Sequence, residues 1–121
     1  MVILKILDDI TDEKRITVKT KDGKVYCAYE NGKLAGYCVF QFEFAAVGII
    51  ELVTEPRDDA LAQGLVRAVA GYAQSRMIKD VRFPDNGGAQ INELAENLGV
   101  VKGETIEISE FFSRGGCVKS G

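Results

Sequence analysis

The chain has 121 residues, 15 basic and 18 acidic side chains and a formal net charge of -3, with 46% hydrophobic and 27% charged residues. This is the length and balance of one soluble globular domain, and it argues against a disordered chain, a nucleic-acid binder or an anionic-membrane binder. Histidine is absent, which removes His-based nucleophile pairs and His-bearing metal sites.

The three cysteines, Cys27, Cys38 and Cys117, form no CxxC, so a cysteine zinc site is one ligand short and no metal is expected. No apolar run reaches the ~18 residues of a membrane span. The start, MVILKILDD, has no basic n-region. With an odd cysteine count, these features predict a cytoplasmic protein with reduced thiols.

In chain order, residues 2–7 (VILKIL) read as a short strand, and 8–15 (DDITDEKR) as a polar connection or short helix. Residues 16–20 (ITVKT) alternate as a strand with one solvated face, and Asp22-Gly23 signals a tight turn into a strand at 24–30. Asn31-Gly32 makes a second hairpin. The strand at 33–44 (KLAGYCVFQFEF) is apolar on both faces until Gln41, and another follows at 47–54. Such doubly apolar strands predict a central position, with helices over both faces of the sheet.

From Arg57 to about Met77, Leu61, Leu65, Val69 and Ala73 recur with Val66 and Ala70 beside them, an amphipathic helix whose first turn holds Asp58 and Asp59. Residues 79–84 return as a strand, which implies a parallel, right-handed crossover. PDNGG breaks the chain, 89–98 forms a second helix, and Gly99 stops it. Residues 104–112 read as a last strand, with Phe111 and Phe112 on opposite faces, and 113–121 as a frayed tail. The class is α+β: a mainly antiparallel sheet leading into one β-α-β-α-β unit.

The hairpin YENGKLAGYCVF (29–40), the strand-to-helix junction ELVTEPRDDALAQGLVRAV (51–69) and the closing NELAENLGV (92–100) come in an order that resembles the GNAT-type N-acetyltransferase superfamily over roughly residues 24–112. The resemblance implies an α+β acyl-CoA N-acyltransferase fold and transfer of an acyl group from acetyl-CoA to an amine. It implies that the helix-starting loop, here Arg57, Ala60, Leu61 and Ala62, holds the coenzyme pyrophosphate on its backbone N–H groups. Leu52, Val53 and Thr54 would meet the pantetheine arm as an added strand, with Asn86 as a further polar contact.

This chain departs from the family pattern. Ala60 replaces a glycine, and Asp58 and Asp59 bring carboxylates; one of these at ~8 Å repels a phosphate by ~1 kcal/mol. The helix acid that some members use maps to Ala95, and the strand base of others to Gly48. Glu51, three residues on, faces the other side of the sheet unless a bulge intervenes. The interval from residue 8 to the hairpin is too short for the two helices that build much of the family's acceptor site. Two functions therefore stand side by side: an acetyl-CoA-dependent N-acyltransferase with an unknown amine acceptor, or an inactive GNAT-like domain acting as a CoA-binding, interaction or regulatory module, with a homodimer as one form it could take. Neither reading includes nucleic acid or membrane as a partner.

The cysteines and tyrosines have simpler roles. A two-residue turn places Cys27 opposite Gly36 and Cys38 opposite Val25, which disfavours a disulfide and makes both small core residues. Cys117 is a possible free thiol with nothing near it to lower its pKa. Tyr26, Tyr29, Tyr37 and Tyr72 read as packing residues.

Overall fold

The computed structural model of the chain describes residues 2–7, 23–85 and 87–117. Its elements are β1 (Val2–Leu7), β2 (Lys24–Glu30), β3 (Lys33–Phe42), β4 (Ala46–Thr54), α1 (Asp59–Ser75), β5 (Asp80–Arg82), α2 (Ala89–Leu98), β6 (Thr105–Glu107) and α3 (Ile108–Cys117). The six strands form one sheet in the order β1-β2-β3-β4-β5-β6. All neighbours are antiparallel except β4 and β5, which α1 joins in parallel. The expected strand at 16–20 and Asp22 lie outside the described residues.

Apolar residues at four-residue spacing dictate how α1 docks. Leu65, Val66, Val69, Ala70 and Ala73 are fully buried against Phe40, Val47 and Ile49 of the sheet. Residue 58 starts the helix: Asp58 is extended, and its carboxylate accepts from the Leu61 N–H. At the other helix, Gly99 takes the left-handed conformation that was expected of a C-cap.

The C-terminal segment corrects the sequence reading. Only Thr105–Glu107 is strand, and 108–117 is helical rather than strand followed by a frayed tail. Ile108, Phe111 and Phe112 stand at helical spacing, which outweighs the short alternation in TIEIS. The two rings therefore do not point to opposite faces of a strand. Phe111 is buried against Phe83, and Phe112 lies beside it under the Arg67 guanidinium. Arg114 of α3 donates to the Gly99 carbonyl at 2.7 Å and the Leu98 carbonyl at 3.3 Å, satisfying acceptors that α2 leaves open at its end. Residues 118–121 and the Cys117 side chain lie outside the described residues.

Among the described residues, all three helices belong to the core on one face of the sheet, where both faces were expected to be covered by helices. The other face carries its own buried cluster of Val25, Cys27, Leu34 and Val39. Tyr26 and Tyr72 pack on the helix side with Phe40 and Phe42, and Tyr29 and Tyr37 on the opposite side. The β2–β3 register slips between Ala28 and Tyr29, so Cys27 faces Tyr37 and Cys38 faces Tyr26, not Gly36 and Val25. The two cysteines form no disulfide and are buried on opposite faces of the sheet. No described helix is long and apolar enough to cross a membrane.

Candidate functional site

The parallel seam between β4 and β5 is short. Ala46, Val47 and Gly48 pair with Asp80, Val81 and Arg82, and beyond them β4 runs on to Thr54 without β5 beside it. Beyond Gly48 the edge of β4 therefore faces a gap that β5 does not close. The start of α1 and Gln90 of α2 both reach Thr54 at its far end.

A bulge shapes β4 within this gap. Ile49 pairs with Phe40 and Glu51 with Val39, so Ile50 is the extra residue. Gly48 opposes Gln41 and Glu51 opposes Val39; those partners are two apart, so Gly48 and Glu51 share one face of the sheet. Alternation alone puts them on opposite faces, and the bulge reverses that. Tyr37, across the strand pair, donates to Glu51 at 3.2 Å. Burial and the Glu51 carboxylate push the Tyr37 hydroxyl up to about 12. Beside Gly48 the space is filled by another carboxylate. A Cβ on Gly48 would overlap Glu43, which takes two hydrogen bonds from the Arg82 guanidinium. That pairing holds the Glu43 carboxyl below its ordinary range.

At the C-terminal end of β4, Thr54 is a buried polar residue, 6% exposed. Its N–H donates to Gln90 Oε1 of α2 at 3.1 Å, and its hydroxyl accepts from Gln90 Nε2 at 2.7 Å and from the Asp58 N–H at 2.8 Å. Strand alternation turns the Leu52 backbone to the same free edge as Thr54 and the Val53 backbone towards β3. The Leu52 side chain is buried in the helix-side core.

At the start of α1, Arg57 donates to Asp59 at 3.0 Å and to Glu93 of α2 at 2.5 Å. The Glu93 and Asp59 carboxylates raise the pKa of Arg57. The Leu61 N–H is taken by the Asp58 carboxylate, and the Ala62 N–H by the Asp58 carbonyl. Ala60 is exposed, Leu61 half-buried and Ala62 buried. Between the two helix starts remains a cavity of about 20 Å³, lined by Asp59, Ala62, Gln90, Glu93, Leu94 and Asn97. Asn86 lies outside the described residues.

No protein-family model matches the sequence, and no curated protein matches it. Solved structures do match. A ribosomal-protein-alanine N-acetyltransferase from Brucella melitensis biovar Abortus 2308 superposes with a TM-score of 0.67 at 14% identity, over 86% of this chain and 94% of its own. The ribosomal-protein-S18-alanine N-acetyltransferase of Escherichia coli gives 0.61 at 17% identity, over 82% and 77%. A GNAT family acetyltransferase from Elizabethkingia anophelis, solved with acetyl-CoA bound, gives 0.54 at 14% identity, over 77% and 72%. The fold is that of the GNAT-type N-acetyltransferases.

Within this GNAT-type fold, the chain's own side chains take up backbone donors at the end of β4 and the start of α1. The Thr54 and Leu61 N–H groups already have partners within the chain, and Asp58 and Asp59 put carboxylates next to the remaining first-turn amides. A cavity of about 20 Å³ holds about one water. Two donors that a pantetheine arm or a pyrophosphate would use, the Thr54 and Leu61 N–H groups, are thus engaged within the chain. Ala95 is 1% exposed in the core and presents no acid. Sequence reasoning missed Gln90, Glu93, Glu43 and Arg82. Gln90 and Glu93 are three apart on one helix face, a spacing that marks them as a possible pair, but nothing in the sequence names their partners.

Proposed function

We propose that this GNAT-fold protein acts as a binding or regulatory module rather than as an acyltransferase. One observation carries the reading: at the unpaired end of β4 and the start of α1, the chain's own side chains take the Thr54 and Leu61 N–H groups, through Gln90 and Asp58. The Glu43–Arg82 pair beside Gly48 supports it, since a carboxylate tied to a guanidinium is a poor proton acceptor. The reading includes a cytoplasmic location, which the buried, undisulfided Cys27 and Cys38 support. It also includes self-association, which sedimentation of the intact chain tests.

Thermal unfolding with acetyl-CoA, using adenosine diphosphate as control, tests the main point. A ligand at ~100 times its dissociation constant adds ~2.7 kcal/mol, a rise of several degrees for a domain of this size. The module reading expects no acetyl-CoA-specific rise, and a clear rise overturns it.

A second reading, acyl transfer from acetyl-CoA to an unknown amine, has one specific support. The β4 bulge brings Glu51 to the face of Gly48, with the Tyr37 hydroxyl beside it. Thiol release from acetyl-CoA in the presence of a panel of primary amines tests it, with Glu51→Gln as the control. Release that Glu51→Gln abolishes favours the transferase, and no release above the uncatalysed rate removes it.

A further inference from the structure

We infer that the end of the molecule formed by the β3–β4 turn and the close of α1 is a self-association surface, on which Phe44 of each copy enters a hollow beside Met77 of a second copy. This rests on the self-association in the reading above and is separate from the question of coenzyme binding.

Two large apolar side chains are exposed at this end, at positions where local backbone chemistry favours other residues. The Glu43 N–H donates to the Ala46 carbonyl at 2.8 Å, which leaves Phe44 and Ala45 at the tip of a tight turn. Phe44 is fully exposed. Tips of this length favour Gly, Asn or Asp, and the chain uses Asn31 and Gly32, both at positive φ, in the β2–β3 hairpin. Met77 follows α1 at φ 70° and is 89% exposed. Its N–H donates to the Gln74 carbonyl and the Ile78 N–H donates to the Ala73 carbonyl, each at 3.0 Å. In a helix ending of this kind the left-handed residue is usually Gly or Asn. A methionine there strains the backbone and, at this exposure, gains little packing within the chain. The fold of one copy accounts for neither residue.

The two lie at the same end of the sheet. Phe42 stacks on Tyr72 with ring centroids 5.9 Å apart, and Arg76 lies over the same Tyr72 ring, so the last turn of α1 rests on the end of β3. A hollow of about 390 Å³, its surface largely apolar, is lined by Gln74, Met77, Ile78, Lys79, Glu107 and Ser109. Pairing puts Ala46, Asp80 and Glu107 in one row across β4, β5 and β6, which sets the turn and the hollow two strand spacings, ~10 Å, apart.

An aromatic knob and an apolar hollow side by side on one chain are complementary to a second copy of that chain. A two-fold axis midway between them brings each Phe44 to the other copy's hollow, uses both contacts and closes the assembly at two chains. The charges around it are mixed. Arg76 and Lys79 balance Asp80 and Glu107, and Glu43 and Arg82 are paired within the chain, so two such faces do not repel as faces of a single sign would.

Sedimentation equilibrium of the intact chain, from micromolar to millimolar concentration, tests this. The wild type should pass from one chain to two and stop there. Phe44→Asn, which suits a turn, should weaken the dimer by roughly tenfold or more, as loss of a central aromatic does. Met77→Gly separates the interface from the fold, because glycine relieves the left-handed residue. Its unfolding midpoint in dilute, monomeric solution should rise while its dimer weakens. Amide resonances of Phe44, Met77 and Glu107 should shift with protein concentration, and those of Asn31 and Thr54 at the other end of the sheet should not. A chain that stays monomeric throughout removes self-association and this inference with it. A dimer that either variant leaves intact, or growth past two chains, overturns this surface alone. Acetyl-CoA binding by the wild type would sink the module reading without changing any of these results.

Discussion

The two ends of the β4–β5 seam are closed in different ways. At the start of the seam, main chain meets main chain over Ala46–Gly48 and Asp80–Arg82, and Glu43 and Arg82 tie the strands across Gly48. At the far end, where the strands have parted, side chains take over the bonding, and Gln90 stands where a neighbouring strand would otherwise satisfy β4. The same strand is held by a backbone ladder at one end and by a single carboxamide at the other.

The largest effect on this contrast is expected at its far end. Thr54→Val keeps the shape of the side chain but strips the acceptor from both Asp58 N and Gln90 Nε2, and should cost about 2 kcal/mol in a denaturant titration. At the backbone-paired end, Arg82→Met takes the guanidinium from Glu43 and should cost about 1.5 kcal/mol at neutral pH. The sign of its pH dependence follows from the depressed Glu43 carboxyl. Its stabilisation is complete above the unfolded value near ~4.3 and is lost as pH falls through the lower folded value. The gap between wild type and Arg82→Met should therefore be full at neutral pH and shrink in acid, as measured by unfolding at several pH values.

Two smaller effects sharpen the far end. Asp58→Ala removes the cap on α1 and should cost about 1 kcal/mol, read from the unfolding midpoint. Glu93→Gln breaks only the exposed pair with Arg57 and should change stability by less than about 0.5 kcal/mol. A cost for Glu93→Gln as large as that of Thr54→Val would move the closure from Gln90 to the surface ion pair.

The sequence exposes the two ends of the seam unequally. Asn31-Gly32, the Leu61–Ala73 stripe and Gly99 act locally, through turn geometry, helical period and left-handed backbone, and each lies where the residues predict. The place where β4 and β5 part is a tertiary event. Nothing in VGIIELVT marks the bulge at Ile50, which decides the face of Glu51. The helix at Ile108–Cys117 was hidden because TIEIS alternates over a few residues, while the apolar spacing that defines the helix extends past them. In the gap, Arg57 and Asp58 were legible as helix-start residues. The role of Gln90 was not, because it depends on Thr54 lying 36 positions earlier in the chain.

The central claim is that the wild-type gap is closed by the chain's own side chains. The most direct measurement is a titration of the isotopically labelled wild type with acetyl-CoA, following the amide resonances of Thr54, Leu61 and Leu94. The account predicts that all three stay unmoved at millimolar ligand. Saturable shifts at Thr54 and Leu61 in the wild type would contradict it, and would make this GNAT-fold protein a coenzyme binder as it stands.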